Sequence, residues 1–319
     1  MKLSIIITCC NDNDECRQTI QSIRATAGDE PEIIVVDDCS ATPLSAGYIT
    51  PELNAKLVSN AHRCGCGPSR HIGALHATGD WLLIIDSHMR FTEGWFHPDM
   101  ELFTDTIYCA TCLALDSKHM DPNNPVSEYH GATMNFYGPD RNSATPGKMQ
   151  VFEAVWLPKD KQPNDGDEIP AIMGAAYFIS RDWFFRLGAT RFLRTWGCDE
   201  QMLSIKSWLA GGEVRMLKSV RIGHKFLLPD ERQGFAPPMG HVLWNKIFAI
   251  NTLLPEAMAE RMMTLLQSNT PAKEQRDILA ALDLMRRDWH LIAQERACNA
   301  TIFKHDIRWY ADKFGIPLP

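Results

Sequence analysis

The sequence contains no apolar run long enough to cross a membrane. Of its 319 residues, 45 % are hydrophobic and 22 % are charged, and polar residues interrupt every stretch before the ~18 apolar residues that a spanning helix needs. The apolar run at residues 3–8 is followed at once by polar residues, so it is too short for a secretory leader. We therefore expect a cytoplasmic protein without a transmembrane segment.

A basic excess is also missing. The net charge is −7 and the isoelectric point is about 5.9, so no global positive field is available to hold a nucleic acid or an anionic membrane. Many of the ten cysteines lie in apolar runs, as expected for buried, reduced thiols of a cytoplasmic protein. Cys109 and Cys112 lie in a predicted strand without a second pair of ligands, which favours core packing over a zinc or redox site.

Short apolar runs alternate with helical patterns along the first part of the chain. The runs at residues 3–8, 32–36 and 81–85 are rich in branched aliphatic residues and predict buried strands with helices between them. This alternation predicts an α/β fold with a mostly parallel central sheet flanked by helices. Residues 116–170 are irregular and rich in Asn, Pro, Gly and Asp, so we expect loops and short hairpins there.

The sequence pattern changes at about residue 241, from strands that alternate with helices to helices alone. We predict one α/β catalytic domain over residues 1–240 and a C-terminal helical extension over residues 241–319. Helical periodicity within the extension places its helices near residues 242–253, 271–299 and 301–314.

Polar side chains follow the predicted strands. Asp86, Ser87 and His88 come directly after one strand, and ligands bind beyond the carboxyl ends of strands in open parallel sheets. Asp86 and His88, separated by one residue, can hold one divalent cation. Such an ion neutralises the phosphates of a nucleotide-sugar and stabilises the departing diphosphate. His224 follows a later strand and is a candidate third ligand.

Two further segments suit a nucleotide. Asp37 and Asp38 end the second predicted strand, where a carboxylate can accept hydrogen bonds from a base N–H or from ribose hydroxyls. Arg63 and Arg70 flank a glycine-containing turn, where the backbone can approach a ligand closely and the guanidinium groups can meet phosphate or base. The glycine spacing does not match a dinucleotide-binding fingerprint.

The ordered set of segments resembles the GT-A glycosyltransferases over about residues 3–228. It is similar to family-two glycosyltransferases and to the catalytic domain of polypeptide N-acetylgalactosaminyltransferases. The resemblance implies that Asp86, His88 and His224 bind Mn²⁺ (or Mg²⁺) and that residues 172–188 line the donor sugar pocket. The family's Trp-Gly-Gly-Glu-Asn segment resembles residues 196–200, although Asp199 stands where Glu is expected and Glu200 where Asn is expected.

We therefore predict a metal-dependent GT-A glycosyltransferase that uses a nucleotide-diphosphate sugar, with a UDP-sugar as the expected donor. The acceptor stays open among a protein hydroxyl, a saccharide, a lipid-linked sugar and a modified nucleobase. The residues predicted to bind the donor are Thr8, Asp37, Asp38, Arg63, Arg70, Asp86, Ser87, Gly174, Ala175 and Trp196. The predicted metal ligands are Asp86, His88 and His224, and the predicted catalytic residues are Asp199 and Glu200.

Three alternatives compete with this prediction. The resemblance favours retention of the anomeric configuration, whereas an inverting family-two enzyme would use Glu200 or Asp199 as its base. A nucleotidyltransferase opens with a Gly-rich phosphate loop followed by Arg and Lys, and residues 7–12 show no such loop. A non-catalytic binding protein has no need of the full set of metal ligands.

Overall fold

The computed structural model describes residues 1–28, 30–45, 49, 51–140, 147–173, 175–188, 190–228, 231 and 236–319. The apolar runs form a nine-stranded central sheet, and two further strands form a separate antiparallel pair. In chain order the strands are β1 (Leu3–Cys9), β2 (Glu32–Asp37), β3 (Ala55–Ser59), β4 (Trp81–Asp86), β5 (Met89–Phe91), β6 (Thr106–Leu115), β7 (Ser127–Tyr129), β8 (Ala132–Pro139), β9 (Met149–Trp156), β10 (Ala176–Ser180) and β11 (Glu213–Lys225).

The main sheet has the order β3-β2-β1-β4-β10-β6-β11-β5, and β7 pairs with β6. Strands β1, β2, β3, β4, β6 and β11 run in one direction, while β10 runs antiparallel to both of its neighbours. The predicted α/β fold with a mostly parallel sheet is therefore confirmed. Because β1 lies between β2 and β4, with Cys9 opposite Asp37 and Thr8 opposite Asp86, the carboxyl ends of the three strands meet at one rim.

Both faces of the sheet are covered, which explains why its inner strands are mostly apolar on both faces. Side chains alternate across β1: Ile5 packs with Ile20 of helix α1 (Asn13–Ala27), whereas Ile6 packs on the opposite face with Ala74 of helix α2 (Cys66–His76). Helices α3 (Arg181–Arg186) and α4 (Asp199–Leu209) join the cluster that contains Ile6.

The segment at residues 116–170 contains a hairpin, as expected, and the hairpin packs into the core. Strands β8 and β9 form an antiparallel hairpin, with Ala132 opposite Trp156 and Pro139 opposite Met149. Phe136 and Phe152 are buried in the same core as α4. Tertiary burial of these aromatic side chains overrides the loop-like composition around them.

Five helices follow the sheet: α5 (Met239–Leu253), α6 (Glu256–Asn269), α7 (Gln275–Arg287), α8 (Trp289–Ile302) and α9 (Ile307–Phe314). Helix α6 was not predicted, and the single helix predicted over residues 271–299 is wrong. Asp288 leaves the helical conformation, with φ −107° and ψ 24°, and so separates α7 from α8. Helix α9 begins later than predicted because the side chain of Asp306 caps it, accepting from the amide of Trp309 at 2.9 Å. Within the described ranges, no helix is both long and apolar enough to cross a membrane.

The C-terminal helices are joined to the sheet region by a buried ion cluster. Lys206 of α4 pairs with Glu295 of α8, and both side chains are almost fully buried. Arg191 lies 2.9 Å from the same carboxylate. Burial lowers the pKa of Lys206, and the Glu295 carboxylate opposes that shift. Trp244 and Ile292 of the extension also belong to the core that contains Ile6, so a division of the chain at residue 240 stays a prediction.

Candidate active site

Three potential metal ligands converge at the rim of the sheet. One ligand atom from each of Asp86, His88 and His224 lies within 4.8 Å of the other two. The His224 Nε2 atom lies 3.4 Å from an Asp86 carboxylate oxygen, and the two imidazole ring centroids are 4.9 Å apart. The three side chains therefore surround one point in space, although they come from distant parts of the chain.

The sheet topology explains this convergence. Asp86 ends β4, and the chain passes through His88 into the short strand β5. Strand β5 pairs antiparallel with the end of β11, with Met89 opposite His224. This pairing at the edge of the sheet brings His224 beside His88.

The geometry fits a divalent cation. An ion with bonds of about 2.1 Å holds neighbouring ligand atoms about 3.0–3.4 Å apart, which matches the 3.4 Å between His224 and Asp86. The other ring nitrogen of His224, Nδ1, is buried without a hydrogen-bond partner in the described part of the chain. Imidazole ligands favour first-row transition ions over Mg²⁺.

The charges around Asp86 and His224 favour the protonation states that a metal requires. Burial alone would raise the pKa of Asp86, but the hydrogen bond from His224 and the charge of Arg70 hold it well below its usual range. Burial lowers the pKa of His224, against the opposing effect of Asp86. An ionised carboxylate and a neutral imidazole are the forms that bind metals.

Asp12 is a site residue that the sequence interpretation missed. Its carboxylate lies 2.9 Å from His88 Nδ1 and accepts a hydrogen bond of 2.7 Å from the Ser87 hydroxyl. Burial alone would lower the pKa of His88, yet the Asp12 hydrogen bond and the Asp86 carboxylate raise it. A carboxylate on one ring nitrogen orients the other toward a metal. The sequence places Asp12 shortly after β1, but an aspartate at this position is also typical of a helix cap, so it did not indicate a site residue.

Asp37, which ends β2, and Asp38, which follows it, both accept hydrogen bonds from backbone amides. Asp37 accepts from the amides of Ser40 and Leu44 at 3.1 and 3.0 Å, and its side chain is buried. Asp38 accepts from the amides of Cys64 and Gly65 at 2.8 and 2.7 Å. Both carboxylates therefore hold loops in place, and a direct nucleoside contact for either one stays a prediction.

Gly65 marks a close crossing of two chain segments. Its φ is +95°, and a Cβ atom added there would lie 1.9 Å from the Cα atom of Thr195. The amide of Thr195 donates to the carbonyl of Cys64 at 2.8 Å. Nearby Arg63 is exposed, and its guanidinium lies 3.4 Å from the carbonyl oxygen of Cys39. The glycine is thus required by packing against Thr195, whereas Arg63 has room to meet a ligand.

Arg70 links the metal ligands to the start of α4. It is 3 % exposed, donates to Asp86 at 2.9 Å and forms an ion pair with Asp199. Asp199 is buried, whereas the neighbouring Glu200 is partly exposed. Trp196, three residues before Asp199, is half exposed. The predicted Arg70 thus acts here as an internal bridge between two carboxylates.

A cleft of about 720 Å³ contains most of the predicted residues. Asp37 does not line it, and the predicted Gly174 lies outside the described residues. The aromatic side chains of Trp156 and Phe226 also face this cleft and were not predicted. The predicted residues that line it are Thr8, Asp38, Arg63, Arg70, Asp86, Ser87, His88, Ala175, Trp196, Asp199, Glu200 and His224.

Comparison with known proteins identifies the protein family to which this fold and cleft belong. The profile of the family described as Glycosyl transferase family 2 matches residues 4–185, which is more than half of the chain. The protein belongs to this family. The predicted glycosyltransferase class is therefore confirmed.

Among individual proteins, the sequence is similar to polypeptide N-acetylgalactosaminyltransferases. The putative polypeptide N-acetylgalactosaminyltransferase 13 of Drosophila melanogaster is 25 % identical over 295 residues, covering 89 % of this chain and 48 % of the relative. Polypeptide N-acetylgalactosaminyltransferase 11 of Xenopus tropicalis is 26 % identical over 295 residues, covering 88 % and 44 %. The chain thus spans about half the length of these curated relatives.

Solved structures support the GT-A fold. GalNAc-T7, crystallised with UDP, GalNAc and Mn²⁺, aligns with a TM-score of 0.67 at 18 % identity, covering 100 % of this chain and 58 % of that one. Residues 1–349 of S. aureus TarS, in complex with UDP-GlcNAc, align with a TM-score of 0.54 at 13 % identity, covering 94 % and 89 %. At these identities the likeness concerns the fold alone.

Proposed function

We propose that the protein transfers a sugar from a UDP-sugar to a hydroxyl acceptor with the help of a divalent cation, which we expect to be Mn²⁺. The observation that carries this proposal is the convergence of Asp86, His88 and His224 in the cleft. When bound, the ion supplies Lewis-acid stabilisation of the departing diphosphate. The names of the relatives make a protein hydroxyl the first acceptor to test.

The chain's own residues hold the donor from two sides. Arg63, exposed at the cleft edge, contributes positive charge near the phosphates or the base. The loop ordered by Asp38 presents its backbone to the nucleoside, with Thr8 on the floor of the cleft. Ala175 and Trp196 border the sugar. On this proposal the scissile bond lies between the metal ligands and the start of α4.

The arrangement at the start of α4 supports retention of the anomeric configuration. Asp199 is buried and its carboxylate is engaged in an ion pair with Arg70. In a retaining reaction the leaving phosphate takes the acceptor proton, so neither carboxylate has to act as a base. Glu200, which lines the cleft, is the candidate base if the reaction inverts.

Binding of the donor can be tested without knowledge of the acceptor. UDP with Mn²⁺ should raise the melting temperature, because a ligand that binds only the native state stabilises it by about 2.7 kcal/mol at 100 times its dissociation constant. UDP alone should have a much weaker effect. Stronger stabilisation by ATP or NAD than by any UDP compound would overturn the donor assignment.

Stereochemistry is tested by following the anomeric proton of the product by NMR. An α-linked donor should yield an α-linked product. A β-linked product, together with a loss of several orders of magnitude in rate for Glu200→Gln with donor binding intact, would establish the inverting alternative.

A further inference from the structure

The loop at residues 191–198 leads from α3 into α4 and carries Trp196 to the cleft. Its backbone is irregular: Thr195, Gly197 and Cys198 all have positive φ, at 44°, 94° and 72°. Such a backbone cannot satisfy its own amides and carbonyls as a helix or strand does, so it needs partners from elsewhere.

One side chain supplies most of these partners. Asn245 of α5 is fully buried, and its Oδ1 accepts from the amide of Arg194 at 2.8 Å. Its Nδ2 donates to the carbonyl oxygens of Arg194, Trp196 and Gly197 at 2.7, 3.1 and 2.9 Å. The amide group thus uses both its acceptor and its donors on this loop.

Neighbouring residues of the C-terminal extension also contact the loop at residues 191–198. The indole Nε1 of Trp244 donates to the carbonyl of Phe192 at 3.4 Å, and the Arg194 guanidinium lies 4.7 Å from the Trp244 ring centroid. Arg194 also pairs with Asp288 at the α7–α8 break. On its other side the loop is fixed by the contact of Thr195 with Gly65. The loop is therefore clamped between the donor side of the cleft and the C-terminal helices.

We infer that Asn245 is a positioning residue for the sugar-transfer site. By fixing the loop before α4 it sets the position of Trp196 and the direction in which Asp199 and Glu200 enter the cleft. The inference rests on the proposed transferase function. It makes the C-terminal helices part of the active site, although none of the three potential metal ligands belongs to them.

The test uses the full chain and the variant Asn245→Asp, which keeps the shape and the acceptor but replaces the amide NH2 group, whose two hydrogens face three carbonyl oxygens, by a carboxylate oxygen that these carbonyls repel. The kcat for donor hydrolysis with UDP-sugar and Mn²⁺ should fall by about 100-fold, the cost of misplacing reacting groups by about 1 Å. The stabilisation by UDP with Mn²⁺ should be retained. Hydrogen exchange should accelerate at residues 194–198.

The matched control is Asn251→Ala on the same helix, where the lost side chain donates to the Ile247 carbonyl of its own helix. Asn245→Ala gives a second variant without the repulsion. Combining Asn245→Asp with Trp196→Ala should cost less than the sum of the two single effects, because both act through one loop.

The outcomes distinguish the positioning role of Asn245 from the proposed transferase function. If Asn245→Asp matches Asn251→Ala in kcat and in exchange at residues 194–198, Asn245 is not a positioning residue. If the wild-type protein neither hydrolyses UDP-sugars nor binds UDP with Mn²⁺, the proposed function fails. In that case the exchange experiment still shows whether Asn245 fixes the loop.

Discussion

Strands β2 and β4 both end in acidic residues at the same rim of the sheet, but the two carboxylates have different partners. Asp37, at the end of β2, is 2 % exposed and accepts from two backbone amides of its own loop. Asp86, at the end of β4, contacts the side chains of Arg70 and His224 in the wall of the cleft. The same residue type at equivalent strand ends therefore has a structural role in one place and a candidate metal-binding role in the other.

The loops that follow the two strands account for the difference. After Asp37 the chain continues through an irregular segment whose amides require acceptors. After Asp86 it turns directly into β5, so few amides compete for the carboxylate. What surrounds a strand end, and not the strand end itself, decides whether an acidic side chain is available to a ligand.

The strongest test of this contrast is Asp86→Ala. Loss of a metal ligand should reduce turnover by at least about 10³-fold, at the upper end of what removal of one electrostatic contact to the transition state costs. The free energy of unfolding should fall less than turnover does, because the buried Arg70 keeps its ion pair with Asp199 when Asp86 is lost. Donor hydrolysis with Mn²⁺ and urea denaturation measure the two effects. The control is Asp283→Asn at an exposed surface pair, and EDTA should inhibit the wild-type enzyme.

Asp37→Ala should show the opposite pattern. Two buried amides lose a charged acceptor, so the free energy of unfolding should fall by about 3 kcal/mol. The kcat of the folded fraction should stay close to that of the wild type. A folded, stable Asp37→Ala protein with greatly weakened UDP binding would show instead that Asp37 contacts the nucleoside.

Asp12→Asn sharpens the comparison at the metal side of the rim. The substitution keeps the shape but removes the charge that faces His88 Nδ1. Loss of such an outer carboxylate costs about 10–100-fold in metal affinity or activity. The Mn²⁺ concentration for half-maximal activity should rise accordingly. An unchanged Mn²⁺ requirement would separate Asp12 from the metal site.

The smallest effect is expected for Arg63→Gln. Arg63 is exposed, and exposed charge contacts are typically worth up to about 1 kcal/mol, or about 5-fold in affinity. The dissociation constant for UDP with Mn²⁺ should rise by no more than this factor, and added salt should reduce the difference. A loss of 100-fold would place Arg63 in direct, desolvated contact with the nucleotide.

Much of the fold could be predicted because its signals are local. The apolar run at residues 3–8 corresponds to β1, which spans Leu3–Cys9, and the run at residues 81–85 corresponds to β4, which spans Trp81–Asp86. The positions of Asp86 and His88 follow from the same reasoning, because polar residues after parallel strands gather at one rim.

The remaining features depend on contacts between distant segments. Asp12 meets His88 only because β1 and β4 are neighbours in the sheet, which the order of strands along the chain does not reveal. Asn245 lies within a helix and carries no local signal of its contacts with residues 194–197. The break at Asp288 interrupts a helical pattern that continues on both sides, and its side chain pairs with distant Arg194.

The third potential metal ligand, His224, lies near the end of β11, the last strand of the main sheet in the described part of the chain. Strands β1 to β4 come from the first 86 residues and pair with one another, so they can form while the rest is still being translated. The pairing that delivers His224 to Asp86 and His88 requires β11, which ends at Lys225. A nascent chain therefore exposes two ligands long before the third arrives, and we expect tight metal capture only when the sheet is nearly complete.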